Sequence, residues 1–326
     1  MDRPKQARDS ATRTDPFRCF KNGYGCVLFP KMQLESEYYQ SEITGTTIFR
    51  RVVSPETVSP VGVVLMLHGL GDHQGCHDVA AELFTKFNLA CVGIDWPGNG
   101  QSEGKRGDMA GVEVAADLIT ETRQFISGRF PGISRDGIGV YAHSTGCFLL
   151  TRALDLGETG TAGVHWAWLS SPLVNPLHAQ NWLKRKSAPI IAGIFPRLTF
   201  PTGVSRRKCV HLHTGTPVPV IEGKHKRVSA RFGYDLMLHA SEISHSAASF
   251  ADPTRVLITQ GGEDEVCPPN YSREFFDKIP ASHKVYHLAE SLRHEPLREP
   301  ENTEFLEFVS DWLKKAIPNT PNRLNL

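Results

Sequence analysis

The chain has 326 residues, with 36 Lys+Arg against 35 Asp+Glu and a formal net charge of +1, a balance that argues against a nucleic-acid partner, which calls for a clear basic excess. Its 40% hydrophobic and 22% charged residues are those of a folded globular chain. The length suffices for one large domain or two modest ones, and no apolar run approaches the roughly 20 residues needed to span a bilayer.

The chain begins MDRPKQARDSATRTDPFR, which is basic but lacks the apolar stretch of a secretory signal, so no export is expected. Residues 1–35 follow no regular pattern and are expected to form an extension. Residues 37–53 alternate enough to predict an antiparallel edge hairpin. Short Val/Ile/Leu-rich runs at 61–67, 89–94, 137–142, 165–169, 255–259 and 284–288 suit strands buried on both faces. Between them Ala115, Leu118, Ile119, Phe125 and Ile126 share one helix face. Phe305, Leu306, Val309, Trp312, Leu313 and Ala316 repeat that period in a closing helix. The alternation predicts an α/β fold with a mostly parallel sheet covered by helices. It breaks off between about residues 175 and 250, a Pro-rich stretch expected to be a cap or lid. The predicted organisation is an extension (1–35), an α/β core (36–174 and 251–318), the inserted cap (175–250) and a tail (319–326).

The sharpest local feature is GVYAHSTGCFLL, residues 139–150. An apolar strand runs into Ala142-His143-Ser144-Thr145-Gly146 and on into a helix, the setting of a nucleophile elbow. The bland alternative is a helix merely capped by a serine. Such a turn needs small residues two positions either side of the serine; Gly146 meets this fully, and Ala142 adds one methyl. A serine hydroxyl is a poor nucleophile until a histidine takes its proton and a carboxylate orients that histidine, in the chain order Ser, acid, His. The run at 255–259 leads into Gly261-Gly262-Glu263-Asp264-Glu265, and the next strand leads into Leu292-Arg293-His294-Glu295-Pro296. Asp264 is selected as the acid because it should point back over the sheet, with Glu263 and Glu265 as alternatives. His294 is selected as the base, with His287, inside a strand, as its rival. Two N–H donors must face the developing oxyanion: the Thr145 amide, next after the serine, and the Leu70 amide in His68-Gly69-Leu70-Gly71-Asp72-His73.

HGLGDH (68–73), DWPGNGQSEGKRG (95–107), AHSTG (142–146), GGEDEVCPP (261–269) and LRHEP (292–296) occur in this order in the α/β-hydrolases. The chain most resembles their monoacylglycerol lipase and lysophospholipase branch over residues 36–318. The resemblance implies an α/β-hydrolase fold with Ser144 as nucleophile, His294 as base, Asp264 as orienting acid, and Leu70 and Thr145 as oxyanion donors. It implies a small-molecule acyl ester of monoacylglycerol or lysophospholipid type as substrate, cleaved through an acyl-enzyme without cofactor or metal. The same triad could serve a thioester, amide or peptide bond, and a ligand-binding homologue without turnover stands as the alternative. Ala142 and Cys147 stand where the family usually has glycines, and Asn99 where it often has histidine.

Other motifs carry less. His68, Asp72 and His73 imitate a metal-binding motif whose middle histidine is replaced by Leu70. Gly69-x-Gly71-x-x-x-Gly75 with Asp95 imitates a dinucleotide fingerprint but leaves the serine turn unexplained. His211 and His213 read as surface histidines, and Cys267 as a loop cysteine, with or without its thiol near the site. Seven cysteines, an odd set scattered along the chain, fit free thiols in a reducing compartment. Cys19 and Cys26 lack a second pair at zinc spacing. A cytoplasmic location is expected. Residues 175–250 hold eleven Lys+Arg and three acids, with Trp182, Leu183, Ile190, Ile191, Ile194 and Phe195 among them. Two readings stand open: peripheral docking of the cap on an anionic lipid surface, or a solvated face. The oligomeric state is not legible.

Overall fold

The computed structural model describes residues 32–317, apart from 57, 110, 135–136, 158–163, 179, 213–217 and 219, together with the backbone of 21–22 and 25–26. The remainder of the 1–35 extension, the 319–326 tail, His213 and Cys19, with the Cys26 side chain, lie outside the described residues.

Eight strands form one sheet: β1 (Met32–Gln40), β2 (Thr47–Pro55), β3 (Gly62–Leu67), β4 (Leu89–Ile94), β5 (Ile138–His143), β6 (Trp166–Ser170), β7 (Arg255–Gly261) and β8 (Lys284–Ala289). Their spatial order is β8-β7-β6-β5-β3-β4-β2-β1. From β8 to β4 every pairing is parallel, while β2 is antiparallel to both β4 and β1. The 37–53 hairpin is therefore β1–β2 at one edge, and β1 starts at Met32, inside what the sequence assigned to the extension. Its start escapes notice because an edge strand is half wet and needs no strong apolar signal: Gln33, Glu35 and Glu37 all lie within it. The central strands β3, β4 and β5 are buried at every position, which their unbroken apolar runs require.

Helices α1 (Asp78–Lys86), α2 (Val112–Arg129) and α3 (Thr145–Asp155) follow β3, β4 and β5. The closing helices are α7 (Pro269–Lys278) and α8 (Thr303–Ala316). Two apolar clusters sandwich the sheet. One joins it to α2, α3 and α7 through Ala115, Ile119, Phe148, Leu149 and Phe275. The other joins it to α1 and α8 through Phe84, Phe305, Val309 and Trp312. Tyr141 and Trp168 meet edge to face at 4.8 Å in the second cluster, and the Trp168 indole N–H donates to Thr259 Oγ1 at 2.9 Å.

Between β6 and β7 no described residue joins the large sheet. The chain there forms α4 (Trp182–Ile194), α5 (Ala230–Leu238), α6 (Ala240–Ser246) and a small ribbon pairing Thr199–Pro201 with Arg227–Ser229. Polar contacts with the core hold this segment down. Asp108 takes Arg197 at 3.0 Å and Arg231 at 2.6 Å, and an Asp235 carboxylate oxygen accepts from the Val112 amide at the start of α2. Part of the segment's basic excess is thus spent inside the molecule.

Trp168 is fully buried, and its indole N–H has a partner. Trp168→Ala is expected to lower stability by about 3–5 kcal/mol, read as a lower denaturation midpoint in urea.

Candidate active site

Because β3, β5, β6, β7 and β8 run parallel, the loops after them emerge at one sheet edge, where open α/β sheets place their sites. Ser144 sits between the last residue of β5 and the first of α3 with φ 53° and ψ −119°, a conformation a non-glycine residue seldom adopts. The surroundings hold it there. The Ser144 amide donates to the Ser170 carbonyl at 3.0 Å, and its own carbonyl accepts from Cys147 at 3.0 Å and Leu173 at 3.1 Å. Gly146 lies so close to β3 that a Cβ there would collide with the Leu67 carbonyl oxygen.

Ser144 Oγ lies 3.0 Å from His294 Nε2, and His294 Nδ1 lies 2.8 Å from Asp264 Oδ2. All three residues are buried. Asp264 is itself held fast: Oδ2 also accepts from Gln260 Nε2 at 2.8 Å, and Oδ1 from the amides of Val266 and Cys267, each at 2.8 Å. The neighbouring acids point elsewhere, Glu263 to His211 and Arg293, and Glu265 to Lys208. His287 stacks on Phe308 with ring centroids 3.8 Å apart.

With Nδ1–H donated to Asp264, His294 Nε2 is left to accept the Ser144 hydroxyl proton. Burial alone pulls the imidazole down. The Asp264 carboxylate, by charge and hydrogen bond, outweighs that with help from Glu295 and Asp72 and holds the group above its ordinary value. On its other side His294 lies 5.0 Å from the His143 ring, which burial and the neighbouring histidines keep well below the ordinary value.

The Gly69-Leu70 backbone passes beside the serine: a Cβ on Gly69 would stand 3.1 Å from Ser144 Cβ. His68 steadies that loop. Its Nδ1 pairs with the Gly69 carbonyl at 2.8 Å and its Nε2 accepts the Trp96 amide at 3.0 Å, while burial pulls its pKa down to about 3, keeping it neutral. Thr145 opens α3, so its amide is among those with no partner inside the helix. The serine thus lies beside both the Gly69-Leu70 backbone and the N-terminus of α3.

Several contributors were missed in the sequence. Gln260 lies one residue before the Gly-Gly turn, where nothing local marks it as a partner of Asp264. Asn99, singled out only as a departure from the family pattern, accepts from the Gly71 amide at 3.2 Å and pairs with His225 Nε2 at 2.8 Å. Lys224 reaches Asp72 and Glu295, each at 2.7 Å. His211, read as a surface histidine, bridges Glu263 at 3.0 Å and Glu299 at 3.1 Å. Apart from Gln260–Asp264, these links join residues far apart in the chain. Cys267 is buried, its amide serves Asp264, and its thiol lies within reach of Ser144; burial and the Asp264 charge push that thiol well up, into its unreactive form. The described cysteines at 76, 91, 147, 209 and 267 are all buried free thiols.

Fold and site together define an α/β-hydrolase. The chain belongs to the Hydrolase_4 family, described as serine aminopeptidase, S33, whose model matches residues 58–301. Its relatives place it on the monoacylglycerol-lipase-like branch. It is 26% identical over 286 residues to an uncharacterized abhydrolase domain-containing protein of Dictyostelium discoideum, covering 85% of this chain but only 28% of that protein. It is 24% identical over 283 residues to the monoglyceride lipase of Rattus norvegicus, covering 84% of this chain and 88% of the relative. The fold superposes on the Paleococcus ferrophilus monoacylglycerol lipase with a TM-score of 0.69 at 23% identity, over 82% of this chain and 99% of that one.

Only the neutral imidazole can take the serine proton, so the competent fraction grows with pH through the His294 pKa. Because that pKa is raised, the acid limb of a kcat/KM profile should lie above 6.5. In Asp264→Asn the limb should fall below the wild-type position along with the rate. An Asp264→Asn limb at the wild-type pH would separate the titrating group from this pair.

Proposed function

We propose that the protein is a serine carboxylic-ester hydrolase that removes the single acyl chain of a monoacylglycerol- or lysophospholipid-type lipid. One observation carries this reading: the unbroken chain of hydrogen bonds Asp264–His294–Ser144, ending on a serine held in strained geometry at a strand–helix turn. In the proposed reaction His294 takes the Ser144 proton as Oγ attacks the ester carbonyl. The oxyanion is met by the Leu70 and Thr145 amides, and collapse expels the alcohol with the proton returned from His294. Water activated by His294 then hydrolyses the acyl-enzyme. Asp264 stays ionised throughout and holds the imidazole in the required tautomer. The lipid substrate class rests on the monoglyceride and monoacylglycerol lipases among the relatives. The inserted segment between β6 and β7 is assigned as the cap over the acyl entrance.

That cap is proposed to dock on an anionic lipid surface. None of the α4 residues is buried; Trp182 is 73%, Leu183 59%, Ile190 62% and Ile194 63% exposed, and Lys184, Arg185 and Lys186 lie on the same helix. An apolar face with adjacent cations suits the headgroup boundary of such a surface. Among the described residues no helix is long and apolar enough to cross a membrane.

Fluorophosphonate should label the wild-type protein and not Ser144→Ala. A panel of monoacylglycerols, lysophospholipids, p-nitrophenyl esters and aminoacyl anilides should show single-acyl esters as the best substrates, with Ser144→Ala slower by at least about 10³-fold. Equal labelling of the variant refutes the serine mechanism; faster cleavage of the anilides refutes the ester preference.

For docking, phosphatidylserine vesicles at low salt should sediment more protein than neutral vesicles, and Lys184→Glu with Lys186→Glu should narrow that difference. Equal sedimentation with both vesicle types would refute it.

A further inference from the structure

Beside the serine, histidine and aspartate lies a second polar cluster that the proposed reaction does not use. Lys224, from the inserted segment, places its ammonium 2.7 Å from Asp72 Oδ1 and 2.7 Å from Glu295 Oε1. The lysine side chain is 27% exposed, and the two acids are buried to 7% and 9%. Asp72 also faces His77 Nε2 at 3.4 Å, and Glu295 also pairs with Arg298. Burial pushes both carboxyls up, but the Lys224 charge prevails and holds them below their ordinary range. Burial likewise works against the charged ammonium, and the two acids reverse that and raise it.

The two acids occupy telling positions. Asp72 is two residues past Leu70, and its amide donates to the Gly69 carbonyl at 3.2 Å, so its placement bears directly on the oxyanion loop. Glu295 is the residue after His294. We propose that Lys224 is a positioning residue for the ester-hydrolase site, tying the loop after β3 to the loop after β8 so that the Leu70 amide and the His294 ring keep their places around Ser144. The proposal rests on the esterase reading for its consequence in rate, though not for the clamp itself.

Anchoring the inserted segment does not account for Lys224, because other contacts already do so. The His225 amide donates to the Gly71 carbonyl at 2.9 Å, the Glu295 amide donates to the Cys209 carbonyl at 2.8 Å, and His73 Nε2 meets the Glu222 carbonyl at 2.7 Å. What Lys224 alone supplies is a positive charge between two buried carboxylates. Without it two buried carboxylates lie side by side with only Arg298 beside Glu295, and the tie between their loops is lost. The charged and titratable groups facing His294 are Asp264, Glu295 and Asp72, with the His143 ring tilted beside its own at 5.0 Å. Those facing Lys224 are Asp72, Glu295 and Cys76, with His143 and Cys209 also within its field.

The test compares wild type, Lys224→Met, Glu295→Gln and the double variant on a soluble p-nitrophenyl ester, with melting temperatures for each. Lys224→Met should lower kcat by about ten- to a hundredfold, the scale of a small misplacement of reacting groups, with KM nearly unchanged. Its kcat/KM acid limb should move to higher pH, since Asp72 and Glu295 both raise His294 and the Lys224 charge that offsets them is gone. Adding Glu295→Gln should bring the limb back toward wild type. A wild-type kcat and limb in Lys224→Met overturns the proposal, and so does a loss of rate with an unmoved limb, the mark of a merely structural lysine. If Lys224→Met does not fold, Glu295→Gln alone decides: its limb should move to lower pH, and an unmoved limb overturns the clamp. An NMR titration of the His294 imidazole in the same variants reads these shifts without turnover. A wild-type protein that neither labels with fluorophosphonate nor hydrolyses esters refutes the esterase reading, while the imidazole titration still decides the clamp.

Discussion

The turn between β5 and α3 is the constraint on which the rest of the site depends. A parallel strand buried on both faces has to leave the sheet at its C-terminal edge, and here it doubles directly into a helix with only Ser144 between them. The reversal puts Ser144 at positive φ, allows no side chain at Gly146 against the Leu67 carbonyl, and brings the Thr145 amide to the helix N-terminus. Strain of this kind costs of order 1–3 kcal/mol and persists only where the surroundings over-determine it. Here β6, the loop after it and the first turn of α3 do so, through backbone bonds from Ser144 to Ser170 and to it from Cys147 and Leu173.

Around that turn the supporting groups are arranged in successive layers, and they come from loops distant in the chain. His294 and Asp264 come from the loops after β8 and β7, both near the end of the chain. Gln260 and two backbone amides saturate Asp264, so the acid cannot swing away from the imidazole. Farther out, His68 locks the Gly69 carbonyl and Asn99 the Gly71 amide, which stiffens the loop that must approach the substrate. The inserted segment meets this part of the core at Gly71, Asn99, Asp72 and Glu295, through hydrogen bonds and ion pairs.

The charge of the insertion divides in two once the fold is known. Lys224, Arg197, Arg231 and Lys208 turn toward core acids. Lys184, Arg185 and Lys186 remain on the exposed helix α4 beside its apolar residues. Summed charge along a chain cannot separate these roles, because it does not record which side of a helix meets the core.

The central strands and flanking helices were legible because their signals are local: unbroken apolar runs for strands buried on both faces, and a helical period for α2 and α8. The start of β1 was not, since a half-wet edge strand imposes little pattern. Ser144, His294 and Asp264 could be named from motif and chain order, as each stands in a loop whose flanking strand is written plainly in the sequence. Choosing among Glu263, Asp264 and Glu265 was a matter of direction, and direction is set by which backbone amides and which partner the loop presents to each carboxylate. The same holds for Gln260, Asn99, His211 and Lys224, whose partners lie up to about 150 residues away and leave no mark on their neighbours in the chain. Sequence alone therefore determined the parallel core, the strained turn and the kinds of group at its edge. The pairing of those groups, and the linking of insertion to core through buried charge, was decided by tertiary structure, because hydrogen bonds and ion pairs depend on distances that only the packed fold defines.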